Sequence, residues 1–213
     1  TSQTDLEMLM QRRAQGEQVI GALLGTEGSH ALDGKLENID VLYAAGFRMM
    51  SLQHFFDNKL GGSLHGANKS GLTSFGEQAV DLMVARGIMI DVAHSSEAVV
   101  RDVLARSDQP LIVSHTGLKG HCDSERNISD DTMAMIANGG GLIGVGYWDG
   151  AVCDATPLGI VRSIRYGIEL LGLEHIALGS DYDGTVATHF DTSQLAILTQ
   201  TMLDENFTEQ EIR

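Results

Sequence analysis

Glu27, His54, His94, His115 and Asp181 each follow the C-terminal end of a short apolar run. Carboxylate and imidazole are the side chains that ligate divalent metal ions and carry protons in hydrolysis. Glu27 follows Val19-Ile20-Gly21-Ala22-Leu23-Leu24, and His54 follows Phe47-Arg48-Met49-Met50-Ser51-Leu52. His94 ends Ile88-Met89-Ile90-Asp91-Val92-Ala93, His115 ends Leu111-Ile112-Val113-Ser114, and Asp181 ends Ile176-Ala177-Leu178-Gly179-Ser180. A sixth run, Leu142 to Tyr147, delivers no such group. One functional group per strand end, always at the same end, is how a (β/α) barrel assembles an active site. The pattern points to a metal-dependent hydrolase.

His94 and His115 are the strongest pair. A lone strand-end histidine is more often a satisfied polar group, but two at matching positions of neighbouring strands can converge on one zinc ion. Glu27, in Gly25-Thr26-Glu27-Gly28, offers two oxygens that can bridge two metals; on its own it reads equally well as an acid favoured by a helix N-terminus. Asp181 opens Asp181-Tyr182-Asp183-Gly184, which lacks the glutamate of a calcium loop and suits a general base, with Asp183 holding the turn. Arg126, eleven residues after His115, could hold a substrate carboxylate through both of its guanidinium edges. His30 is expected to cap or pack, and His65, His121, His175 and His189 have no motif around them.

Each apolar run is followed by a helical stretch. Residues 1–16 read as a helix before the first strand, and 31–45 as a second, with Leu32, Leu36, Ile39, Leu42 and Tyr43 on one face. The glycine-rich stretch 55–72 directly after His54 reads as an active-site loop. Ser74 with Glu77 forms a capping box for a helix to Arg86. Further helices are expected over 96–105, from Ser129 or Asp130 to Asn138, over 157–171 and over 192–203. Thr208 with Glu211 caps a last one.

The 213 residues form a single domain with enough length for a sizeable core. The balance of 14 basic against 29 acidic residues argues against nucleic acid or an anionic membrane as partner. No apolar run approaches the roughly 20 residues of a membrane span. Cys122 and Cys153 are too few for a disulfide framework and lack CxxC spacing, so two unpaired thiols are expected. Six strands fall short of the eight of a closed barrel, and an open six-stranded sheet would carry long exposed edges. The expectation is therefore one barrel domain, truncated at both ends, with its N-terminal strand or strands missing.

Together these residues resemble the membrane (renal-type) dipeptidase family of zinc peptidases, in the amidohydrolase superfamily. The stretches that carry the resemblance are Glu27-Gly28-Ser29-His30, then Leu42-Tyr43-Ala44-Ala45-Gly46-Phe47-Arg48, Leu52-Gln53-His54 and Gly71-Leu72-Thr73-Ser74-Phe75-Gly76. Met89 to Ser96, Ser114-His115, Arg126 to Asp131, Gly179 to Gly184 and Phe207 to Glu211 complete the series. The resemblance implies a (β/α)₈ barrel holding two zinc ions that cleaves dipeptides through a bridging water. In it, Glu27 would bridge the metals and His94 and His115 would complete the second site. Asp181 would move the proton, His54 would support the tetrahedral intermediate, and Arg126 would grip the substrate's C-terminal carboxylate.

One departure stands out. The family's first strand carries a His-x-Asp pair that supplies the remaining ligands of the first zinc, and no His-x-Asp stands ahead of Glu27; His121-Cys122-Asp123 and His189-Phe190-Asp191 come much later in the chain. Two other readings follow from the same residues: hydrolysis of another substrate, such as a lactone or N-acyl amino acid, or a non-catalytic binding protein that lacks the first zinc site. Dipeptide preference, compartment and assembly state are not written in these motifs, and a homo-oligomer is compatible with them.

Overall fold

The computed structural model describes residues 2–213. Its framework is a six-stranded, all-parallel sheet in the order β1-β2-β3-β4-β5-β6, each strand paired to its sequence successor. The strands are β1 (Leu24–Thr26), β2 (Phe47–Ser51), β3 (Met89–Asp91), β4 (Ile112–Thr116), β5 (Leu142–Val145) and β6 (Ile176–Leu178). Helix α1 (Gln3–Ala14) precedes the sheet, and α2 (Asn38–Ala44), α3 (Ser74–Ala85), α4 (Glu97–Arg106) and α5 (Asp130–Asn138) connect successive strands. A short α6 (Asp149–Val152) and the long α7 (Pro157–Leu171) join β5 to β6; α8 (Ala196–Asp204) and α9 (Glu209–Ile212) follow. This is the alternating βα architecture of a partial TIM-type barrel. Among the described residues, no helix is long and apolar enough to cross a membrane.

The helices form where local chemistry starts and stops them. Ser96, Ser129 and Thr156 each sit in extended backbone and accept a hydrogen bond from an N–H of the following first turn, capping α4, α5 and α7. Pro157 occupies the start of α7, where its missing N–H costs nothing. The apolar faces so directed form two cores. One packs Ile39, Val80, Met83, Val99 and Val103 against Met50, Ile90 and Val113 of β2–β4. The other gathers Tyr147, Val152, Ile160, Ile164, Leu198 and Phe207 beside Val145 of β5.

Several expectations are corrected. The first strand starts at Leu24 rather than Val19, because only Leu24 to Thr26 face residues of β2; Ile20 is 90% exposed. The helix read over 31–45 is a 3₁₀ turn at Ser29–Leu32 and then α2, separated where Asp33 and Gly34 both take left-handed backbone. The cap of α3 is Thr73, not Ser74: Thr73 Oγ1 accepts the N–H of Gly76 at 3.0 Å and donates to the carbonyl of Lys59 at 2.6 Å. The box of Thr208 with Glu211 is present on α9. The sheet's edges are short, three residues in both β1 and β6, although Leu24 and Leu178 on them are 53% and 54% exposed.

Cys122 and Cys153 are not free thiols. They form a disulfide, with Cα atoms 5.5 Å apart. Their loops follow β4 and β5, adjacent strands of the sheet, so residues 31 apart in sequence meet above it.

Candidate metal centre

Five strand-end groups converge, as the sequence requires. Glu27 Oε1 lies 3.2 Å from Nε2 of His94 and 3.2 Å from Nε2 of His115, and those two nitrogens are 3.0 Å apart. The other Glu27 oxygen is 3.7 Å from His54 Nε2, and Asp181 Oδ2 is 3.9 Å from His115 Nε2. Two metal-capable triads result, Glu27 with His54 and His94, and Glu27 with His115 and Asp181. The sheet therefore curls enough for the residues after its first and last strands to share one centre.

Close approach of the strands makes this possible. A Cβ on Gly144 of β5 would stand 2.2 Å from the Ser114 carbonyl oxygen, and one on Gly179 2.5 Å from the same atom. Their bare backbones let β4, β5 and the end of β6 crowd together below His115 and Asp181. A cavity of 490 Å³ inside this curl is lined by Glu27, Met49, Asp91, Ser114, His115 and Asp181, among others. A larger apolar groove of 760 Å³ lies between α1 and Leu23, Arg48 and Met89, and none of the five converging groups lines it.

The residues fit a zinc ion on their own chemistry. Glu27 Oε1 and the Nε2 atoms of His94 and His115 offer three ligand-capable atoms 3.0–3.2 Å apart. Ligand atoms of a tetrahedral zinc with bonds of 2.0–2.1 Å stand about 3.3 Å apart, so the spacing suits that ion. Burial pushes the His94 imidazole down to about 4, Arg126 adds to this and Glu27 opposes it, so the ring is neutral at pH 7. The imidazoles of His115 and His94 hold the Glu27 carboxyl well below the ordinary carboxylate range. Asp181 moves the other way, raised chiefly by its burial.

Arg126 is buried beside this set. Its Nη2 donates to the His115 carbonyl at 2.8 Å and lies 3.4 Å from His94 Nε2, while Nη1 donates to Thr116 Oγ1 at 3.3 Å. Burial lowers it to about 10, leaving it charged at neutral pH, and its guanidinium carbon sits 5.5 Å over the Trp148 ring. Asn127, its neighbour, donates to the carbonyls of Cys122 and Ala151, tying this loop to the same segment as the disulfide. His54 stands at the rim, with its ring 4.3 Å from that of exposed Phe55.

Other groups were given no role by the sequence and are nonetheless at the centre. The His65 ring packs 5.4 Å from that of His94, because Leu64 donates its N–H to the His94 carbonyl at 2.7 Å. Trp148 lies 6.0 Å from His115. Asp91 and Ser114 sit directly beneath His115. The docking of one loop places His65, the segment between β5 and α6 places Trp148, and the pairing of β3 with β4 places Asp91 and Ser114. His30 joins neither triad, and Asp183 lies on the turn that Gly184 closes by donating to the Asp181 carbonyl.

The comparisons address the family and the fold. The family model described as Membrane dipeptidase (Peptidase family M19) matches residues 3–213. Human Dipeptidase 3 is 29% identical over the whole chain, and the chain spans 46% of that relative's length. A Klebsiella pneumoniae protein, described as an uncharacterized protein in the pqqA 5' region, is 31% identical over 81% of this chain and 68% of its own. Among solved structures, a Rhodobacter sphaeroides metallo peptidase liganded with a phosphinate mimic of the dipeptide L-Ala-D-Ala superposes with a TM-score of 0.84 at 24% identity. That alignment covers 97% of this chain and 63% of the other. An amidohydrolase from Pseudomonas aeruginosa gives a TM-score of 0.81 at 22% identity, over 97% of this chain and 72% of the other. With the family model matched along virtually its whole length, this chain belongs to the membrane dipeptidase family.

Proposed function

We propose that the protein carrying this chain is a zinc-dependent dipeptidase. The observation that carries the reading is the convergence of Glu27 Oε1, His94 Nε2 and His115 Nε2 within 3.2 Å of one another. These three residues would hold one zinc ion, and the second oxygen of Glu27, facing His54, would reach a second. No His-x-Asp pair ahead of Glu27 is present to complete that second ion's ligands, and His121, Asp123, His189 and Asp191 join neither triad. Bound zinc supplies a Lewis acid for the scissile carbonyl and a hydrolytic nucleophile at neutral pH.

The chain's own residues supply the rest. Asp181, its carboxylate 3.9 Å from His115 Nε2, takes the proton of the attacking water and returns it to the departing amine. His54 at the rim donates to the oxygen that becomes negative in the tetrahedral intermediate. Arg126 has five N–H donors, and its contacts with His115, His94 and Thr116 leave some of them for a substrate carboxylate. A free carboxylate required at that distance from the scissile bond selects very short peptides.

The test is zinc content per chain, measured with hydrolysis of L-Ala-D-Ala before and after zinc is added. The expected result is zinc that is lost in Glu27→Ala and His94→Ala, together with dipeptide cleavage that depends on it. Zinc binding unaffected by both substitutions would sink the metal assignment. Cleavage of lactones or N-acyl amino acids but of no dipeptide would replace the substrate class and leave the centre standing.

A further inference from the structure

Beneath His115 the hydrogen-bond donors can be counted one by one. Asp91 is 2% exposed, and its Oδ1 accepts two backbone N–H groups, from Ala93 at 2.9 Å and from Ser114 at 3.0 Å. Its Oδ2 is 2.6 Å from Ser114 Oγ. An ionised carboxylate only accepts, so the Ser114 hydroxyl spends its one hydrogen on Asp91. Ser114 Oγ is also 2.9 Å from His115 Nδ1. Having no hydrogen left, the hydroxyl must accept there, and the donor must be His115 Nδ1–H.

We propose that Asp91 acts through Ser114 as a tautomer lock on His115, holding its proton on Nδ1 and turning the Nε2 lone pair toward Glu27 and His94. Both are positioning residues, since neither touches the centre itself. The link runs between neighbouring strands, from the end of β3 to β4; Asp91 and His115 at its two ends are buried, and Ser114 between them is half-buried. A histidine that ligates a metal through one nitrogen almost always has the other fixed by such a partner; His115 has one, whereas Nδ1 of His94 has none among the described residues. The consequence for zinc rests on the metal reading above, whereas the tautomer does not.

The lock can be reversed with one isosteric change. In Asp91→Asn the carbonyl oxygen must stay where it meets the N–H groups of Ala93 and Ser114. The amide NH₂ then donates to Ser114 Oγ, and the hydroxyl hydrogen swings to His115 Nδ1. The imidazole proton moves to Nε2, where it blocks a ligand position.

The experiment is imidazole ¹⁵N NMR of the metal-free full chain at about pH 8, above the ordinary histidine range, with zinc affinity by chelator competition alongside. We expect His115 protonated at Nδ1 in the wild type and at Nε2 in Asp91→Asn, with zinc bound about 10- to 100-fold more weakly in the variant. Ser114→Ala, which removes the link without reversing it, should leave a mixture of tautomers, and Ser114→Thr should restore the lock. A wild-type His115 protonated at Nε2, or a folded Asp91→Asn with unchanged tautomer, overturns the lock. If the tautomers behave as expected but the wild type binds no zinc, the lock stands and the metal reading alone fails.

Discussion

His94 and Asp181, each three residues past the end of its strand, β3 and β6, share a left-handed backbone, at φ 64° and 57°. Such a conformation costs free energy for residues other than glycine, least for asparagine and aspartate. Strain of this kind persists only where surrounding contacts enforce it. At His94 the enforcement is visible: its carbonyl accepts from Leu64 N–H at 2.7 Å and from Ser63 Oγ at 3.2 Å.

The backbone at Asp181 decides how its role should be tested. Asparagine tolerates φ near +57° as aspartate does, so Asp181→Asn should fold without added strain while losing the proton acceptor. We expect kcat for dipeptides to fall about 10²- to 10⁴-fold, with zinc content unchanged. A variant that keeps its turnover would remove Asp181 from proton transfer.

Arg126 gives a prediction that separates binding from chemistry. Lysine keeps the charge and loses the planar fork, so Arg126→Lys should lose roughly 1.5–3 kcal/mol of carboxylate binding, about 10- to 100-fold in kcat/KM. The loss should fall mainly on KM. Dipeptide amides, which have no carboxylate, should be poor substrates of both proteins to the same degree; equal losses on both substrates would show a structural role only.

Much of the centre was legible because strand ends in a barrel converge whatever the connecting lengths. Glu27, His54, His94, His115 and Asp181 needed only their places after apolar runs, and all five meet. Ser114 and Asp91 were hidden for the opposite reason: inside a strand a serine or aspartate reads as ordinary polar alternation, and only β3–β4 register brings the two together. His65 depended on a loop folding back onto His94, which no periodicity encodes. The fold itself was misread where ladders or breaks decide, at Val19 to Leu23, which has no partner strand, and at Asp33-Gly34, where two left-handed residues interrupt a helical face.

The disulfide was missed because sequence spacing says nothing about neighbouring loops. Its effect on stability is measurable: closing a loop of 31 residues is worth about 3–4 kcal/mol in the chain-entropy account. Paired Cys122→Ser and Cys153→Ser substitutions should lower the urea midpoint accordingly, and reduction of the wild type should match them. An unchanged midpoint would mean that Asn127, which donates to the carbonyls of Cys122 and Ala151 at 2.8 Å each, holds the two loops by itself.

Acid should weaken the metal-free protein in two steps of the same sign. Burial depresses His94 from its ordinary value of 6.5 to about 4, so between those values the unfolded chain binds a proton that the folded chain does not. Stability therefore falls as pH drops from 6.5 to about 4 and is indifferent to this group below that. Glu27 is also depressed, its carboxylate held by His115 and His94, and its contribution is present above its ordinary value of 4.5 and lost below it. Urea unfolding of the metal-free chain between pH 7 and 3 would read both steps. His94→Phe keeps the ring and removes the titration, so it should shrink the upper step to the parts of half-buried His65 and His121, and shrink the lower one because Glu27 loses one of its two imidazole partners. A wild-type profile that is already flat between pH 6.5 and 4.5 would show that His94 titrates alike in the folded and unfolded chain, and the depression by burial would be overturned.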